Sequence, residues 1–155
     1  MHGSLLMLDS HARMRLPTAY LLALALLATS PPASGASIDE LNPTVHSIPP
    51  GPDVQYRLQG VLVMAAPGDV IQLEKGRYQL LRQIDLAVDN ITIRGRGSQE
   101  TVLTFRGQRS GNQGIQATGD NFVIEGLAIE DTAGNAIKVI GSRNVTFRDV
   151  RVEWT

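Results

Sequence analysis

At 155 residues, 43% hydrophobic and 19% charged, the chain has the composition of one ordinary globular domain rather than a disordered segment or a coiled coil. Its 14 Lys and Arg against 15 Asp and Glu leave a formal charge of -1, so no basic field marks nucleic acid or an anionic membrane as a partner. Cysteine is absent, which excludes a disulfide framework and leaves stability to burial and backbone hydrogen bonding.

Residues 1–36 read as a secretory signal. Arg13 and Arg15 precede the apolar run Ala19–Ala28, and Ser34 and Ala36 set small residues before a cut ahead of Ser37. That run is about half of the roughly 20 apolar residues a bilayer span needs, so export and cleavage are expected, to a periplasmic or extracellular location with no membrane span left. Cleavage removes Arg13, Arg15 and Asp9, leaving 12 basic and 14 acidic residues, and leaves His46 as the single histidine. His46 lies in a Pro-rich lead-in, residues 37–52, where X-Pro steps disfavour regular structure and a buried, oriented base is not expected.

A short helix is predicted over 53–66, with Asp53 at its N-cap and Leu58, Val61, Leu62 and Ala65 on one apolar stripe, before Pro67-Gly68 stops it. From 67 to 155 the apolar period shortens to two, with pairs such as Ile71 and Leu73, Ile84 and Leu86, and Ile91 and Ile93. The pairs recur: Ile115, Phe122, Leu127 and Ile129 reappear as Ile137, Val145, Val150 and Val152 at offsets of 22, 23, 23 and 23 residues. A repeat of that length with three short strands per copy fits one winding of a parallel β-helix, so the expected class is all-β.

Stacking the copies places Ile91, Phe122 and Val145 in one inward column and Ile93, Ile124 and Phe147 in the next. Leu103, Leu127 and Val150, then Phe105, Ile129 and Val152, are expected to form a second wall, with seven extra residues in the turn "GRGSQET". The helix is expected to plug the first winding, because an open end exposes strand edges and core. Asn90, Asn121 and Asn144 each precede an inward pair and are expected to stack as a turn ladder that passes amide hydrogen bonds between windings. Gly95 and Gly126 read as turn glycines with unusual backbone angles. No complete GxGxxG or GK[ST] loop occurs, which removes the nucleotide-binding classes.

On the outward surface, Arg94, Glu125 and Arg148 form a column of alternating charge, expected to be an ion-pair ladder. Glu130 and Glu153 share another column, beside Asp131 and flanked by Arg148 and Arg151. Paired carboxylates next to a cation can bind carbohydrate hydroxyls, hold a divalent ion such as calcium or divide acid and base roles; the alternative is a hydrated outer face. No other cofactor is evident, and no catalytic constellation is complete.

The stretches "LQGVLVMAAPGDVIQLEKGRYQL" and "VDNITIRGRGSQETVLTF" resemble the N-terminal cap and first windings of right-handed parallel β-helix proteins of the pectate-lyase-like superfamily. "GDNFVIEGLAIEDTAGNAIKVIGSRNVTFRDVRVEWT" is similar to exported proteins with parallel β-helix repeats, so the likeness covers roughly 53–155. It implies a right-handed β-helix and polysaccharide as partner, since relatives include polysaccharide lyases, uronan epimerases and glycoside hydrolases. No catalytic motif of those families occurs here, so none of their catalytic residues is transferred. The chain stops on a strand, and the expectation is the front portion of a carbohydrate-binding or polysaccharide-processing protein lacking a complete active site. Were the chain complete, its open last winding would invite self-association. A non-catalytic extracytoplasmic scaffold and an inactive truncated product are the alternatives.

Overall fold

The computed structural model describes residues 43–155. The expected signal segment, residues 1–36, and residues 37–42 of the lead-in lie outside the described residues. In chain order the elements are β1 (Val45–Ile48), α1 (Val54–Met64), β2 (Val70–Leu73), β3 (Gly76–Gln79), β4 (Arg82–Leu86), β5 (Thr92–Arg94), β6 (Thr101–Thr104), β7 (Ser110–Ala117), β8 (Val123–Glu130), β9 (Ile137–Val139) and β10 (Thr146–Glu153). Every strand pairing is parallel. The described residues are thus mostly strand, with one helix.

Parallel neighbours cannot be joined by a tight turn, so each strand pairs with one a repeat away in sequence. One curled sheet follows the order β1-β2-β5-β8-β6-β3, with β10 also on β8, and the other is β4-β7-β9. The curl arises because β8 serves two ladders, pairing β5 through Val123–Glu125 and β6 through Ala128–Glu130. Between those halves Gly126 takes a left-handed φ of 64°. Asp149, at φ 46°, repeats the corner on β10 between residues paired to Glu125 and Leu127.

Ile71, Ile93, Ile124 and Phe147 stand in one register column, and Ile84, Ile115 and Ile137 in another. Most of these side chains are buried, and each contributes roughly 1.5–3 kcal/mol against its exposed state. The second wall differs from the expected one. Leu103 pairs with Ile129 instead of Leu127, so that column runs Tyr78, Leu103, Ile129, Val152, and Phe105 falls beyond the paired residues. The Arg94–Val102 connection spans eight residues where Glu125–Ala128 spans three. The corner at Gly126 therefore takes up residues that the spacing alone assigned to strand.

The lead-in also departs from expectation, since β1 pairs with β2 in register, His46 against Ile71. Pro43, Pro49 and Pro50 flank this edge strand rather than interrupt it, so no missing N–H breaks the ladder. The Tyr78 hydroxyl, 2.7 Å from the carbonyl oxygens of both Ile48 and Glu74, fastens the same strand end. Burial pushes that phenol up to about 12.

Helix α1 packs on β1, β3 and β4 through buried Val54, Leu58 and Leu62. Asp53 holds the N-cap position, but its side chain makes no capping bond. The helix instead attends to the edge of β4. Gln55 Oε1 accepts the amides of Leu81 and Arg82 at 3.0 Å each, and Gln59 accepts the Asp85 amide at 2.9 Å while donating to the Asp85 carbonyl at 3.1 Å. These amide side chains supply what a neighbouring strand would otherwise supply. Gly95 is explained by proximity, not backbone angle: a Cβ there would lie 2.1 Å from the Gly126 carbonyl oxygen. At the other end β10 pairs only with β8, and Val139, Phe147, Val152 and Trp154 remain exposed.

Candidate functional site

The outward face of β3, β6, β8 and β10 gathers three arginines and three carboxylates. Alternation along the strands sends Arg77, Val102, Ala128 and Arg151 outward in one register row, with Gln79, Thr104, Glu130 and Glu153 in the next. Val102, Thr104 and Ala128, small or β-branched, are buried although they face outward. The long side chains at the margins arch over this floor. Arg77 reaches Glu130 Oε2 at 2.7 Å from one side, and Arg151 reaches Oε1 at 2.8 Å from the other.

Glu130 thereby becomes a carboxylate only 5% exposed, yet gripped by two guanidinium groups. Burial alone would raise its carboxyl, and the bonds from Arg77 and then Arg151 outweigh it, holding the group below the usual carboxylate range. Arg151 also pairs with Glu153 and donates to the Ser98 carbonyl at 3.3 Å. Ser98 in turn gives its hydroxyl and amide to Asp149, at 2.5 and 3.1 Å, so the corner residue secures the loop beneath Arg151.

Asp131, the next residue, turns away into a separate pair. It has a left-handed φ of 56°, and its carboxylate accepts from the Thr155 amide at 2.7 Å and Arg106 Nε at 3.1 Å. The Thr155 amide is the leading cause of its lowered pKa. Of the four candidates named from sequence, Glu130, Arg151 and Glu153 share one network and Asp131 borders it. Arg148 does not flank them: it lies on the other arm of the corner, where it pairs with its register partner Glu125 at 3.1 Å. The outward column there is only partly an ion-pair ladder, since Arg94 Nε donates to Gln72 Oε1 at 2.9 Å.

Two members were missed from sequence, Arg77 and Arg106. Arg77 is 53 residues from Glu130, and nothing local announces the contact. The usable signal was the alternation in "GRYQ", which sets Arg77 and Gln79 outward once Tyr78 is placed inward. Also unforeseen is the pair of His46 Nε2 and Asp69 Oδ2, 2.8 Å apart, in which Asp69 further accepts the amides of Thr44 and Ala66. The His46 contact is the main cause that lowers the Asp69 carboxyl. This pair knits β1 to the turn before β2.

The guanidinium of Arg151 bridges Glu130 and Glu153, and among the described residues no three His, Cys, Asp or Glu side chains converge as a cation site would require. Asn90, Asn121 and Asn144 share left-handed φ values of 59°, 55° and 54°, and Asn144 Nδ2 donates to Asn121 Oδ1 at 2.7 Å. They lie in one stacked turn, at the far end of the strands from Glu130.

An all-parallel curled sheet with an arginine-rich outer face narrows the comparison with known proteins. The chain is similar to a pectate lyase. Pectate lyase L of Paenibacillus polymyxa (strain SC2) is 32% identical over 96 residues, which cover 56% of this chain and 21% of that protein. The chain thus matches about a fifth of its relative's length. No family model matches the sequence, and no solved structure matches it.

Proposed function

We propose that these residues are windings of an exported, right-handed parallel β-helix that binds an acidic polysaccharide on the outward face of β3, β6, β8 and β10, with α1 capping the first winding. The observation that carries this reading is the state of the arginines. The Arg77 and Arg106 side chains are 60% and 66% exposed; Arg77 is held by a carboxylate through one nitrogen, Arg106 by Asp131 through Nε and by the Thr155 hydroxyl through Nη2, and each keeps further N–H groups without a protein partner. Anchored, partly unfilled guanidinium groups suit the carboxylates of a uronate chain, which they can meet in bidentate fashion. The similarity to pectate lyase L supports the same ligand class. Export rests on the pattern of residues 1–36.

The carboxylates of the face are assigned a positioning role. Glu130 and Asp131 are held ionised, so neither is poised to give a proton near neutrality. The paired state of all three carboxylates also favours a second reading, an accessory protein that holds the polymer without cutting it.

Affinity electrophoresis of the full chain through gels containing polygalacturonate tests the proposal. Retardation is expected to fall with added salt, to be much weaker in fully methyl-esterified pectin, and to weaken about tenfold in Arg77→Ala. Equal retardation by the charged and esterified polymers, or an unchanged Arg77→Ala, would overturn it. Release of unsaturated oligosaccharide from the bound polymer separates the lyase from the accessory reading.

A further inference from the structure

A second polar groove lies on another side of the molecule, where α1 crosses the edge of β4 and β7. Two adjoining cavities of about 300 and 330 Å3 share Gln55, Tyr56, Arg82 and Ser110 in their walls; Asp85 lines the first and Arg109 the second. Three features distinguish this groove from ordinary wet surface.

First, Tyr56 is 72% exposed on the helix, so its ring face stands open at the groove. Second, two cations line one end. Arg82, the register partner of Ser110, and Arg109, whose amide donates to the Leu81 carbonyl at 2.7 Å, both border the second cavity. Among the described residues neither has a carboxylate partner, as is also true of Arg57, Arg94 and Arg143, whereas Arg77, Arg96, Arg106, Arg148 and Arg151 all do. Two like charges bordering one cavity make it favourable to an anion. Third, the remaining polar groups are oriented. Gln55 Oε1 is consumed by the Leu81 and Arg82 amides, which leaves its NH2 to donate, and Asp85 is fixed by Gln83 Nε2 at 2.7 Å with acceptor capacity to spare.

We infer that this groove binds a single carboxylated sugar ring, at a site separate from the arginine face described above. The carboxylate sits between Arg82 and Arg109 with the Ser110 hydroxyl as a further donor, where guanidinium forks match its geometry. The apolar C–H face of the ring rests on Tyr56, which offers a large rigid surface at small entropic cost. Ring hydroxyls meet the Gln55 amide and the Asp85 carboxylate at the opposite end. The polarity of the groove, cationic at one end and acceptor-bearing at the other, favours a sugar acid over a simple anion, which would leave Tyr56 and Asp85 unused.

Nuclear magnetic resonance titration of the full chain with trigalacturonate tests this. Backbone amides of residues 55, 56 and 109–111 are expected to shift saturably. The affinity read from those shifts should fall about tenfold in Tyr56→Ala and in Arg109→Ala, remain in Tyr56→Phe, and be unchanged in Arg77→Ala. The carboxyl-reduced trisaccharide should bind at least about tenfold more weakly. Both truncated side chains are exposed, so the variants are expected to melt with the parent. Shifts confined to the Arg77 face, full affinity in Tyr56→Ala, or inorganic phosphate binding as tightly as the sugar would each overturn the inference. Because Arg77→Ala reports on the other face alone, the two sites can fail independently.

Discussion

Ile124→Asp is expected to abolish folding, while Glu125→Ala, one residue along, is expected to shift the melting temperature by no more than about 2 °C. Ile124 is 0% exposed and stands between Ile93 and Phe147 in the inward column, within the hydrophobic core cluster. A carboxylate there has no counter-ion and loses its hydration, which costs more than about 4 kcal/mol before the lost packing is counted. Against a total stability of about 5–15 kcal/mol that is enough to empty the folded state. Glu125 points outward and meets only exposed Arg148, a contact worth about 0–1 kcal/mol. Thermal denaturation followed by circular dichroism reads both, and equal melting of the two variants would mean that the columns are wrongly assigned.

Glu130→Ala is expected to cost about 1–3 kcal/mol, the second largest effect, because it removes two charge-assisted hydrogen bonds from a buried carboxylate, depriving exposed Arg77 of its partner and leaving Arg151 with Glu153 alone. The same carboxylate gives the protein an acid-sensitive component. Its folded pKa lies below the ordinary value of 4.5, so at mildly acidic pH the unfolded chain binds the proton first and stability rises with pH. The contribution is fully present above about pH 5 and is lost as pH falls through the folded value. Asp131 and Asp69, lowered in the same way, add to the slope. Urea titrations between pH 6 and pH 3 are expected to show a shallower decline in Glu130→Gln than in the parent. An identical decline in both would remove Glu130 from the acid response.

The inward columns of Ile93, Ile124 and Phe147 and of Ile84, Ile115 and Ile137 could be read from the chain because a strand's period of two fixes the inward face and both columns share the same long offset followed by a short one. The Leu103 column could not, since the left-handed corner at Gly126 lets one continuous strand serve two ladders, and spacing does not reveal where the chain bends. Strand β1 was hidden by its prolines, which say where a ladder can start and stop but not that a partner lies some 25 residues on. In the site, Glu130 and Glu153 were visible as a like-charged column. Their arginine clamp was only half visible, because Arg77 enters from a strand two steps across the sheet. The groove at Tyr56 carried no signal: isolated glutamines and arginines on a helix and an edge strand acquire meaning only when α1 is laid across β4.

The central claim, a stack of parallel strands in the stated register, is open to a direct test because the chain contains no cysteine. Glu125→Cys with Arg148→Cys places two thiols on directly opposed residues of adjacent strands, roughly 4.8 Å apart at the backbone and within disulfide range. Arg94→Cys with Arg148→Cys places them in the same column with one strand between, roughly 10 Å apart and out of range. Under mild oxidation the first pair is expected to close within a monomer and the second to stay reduced. Closure of the second pair as fast as the first would contradict the stack.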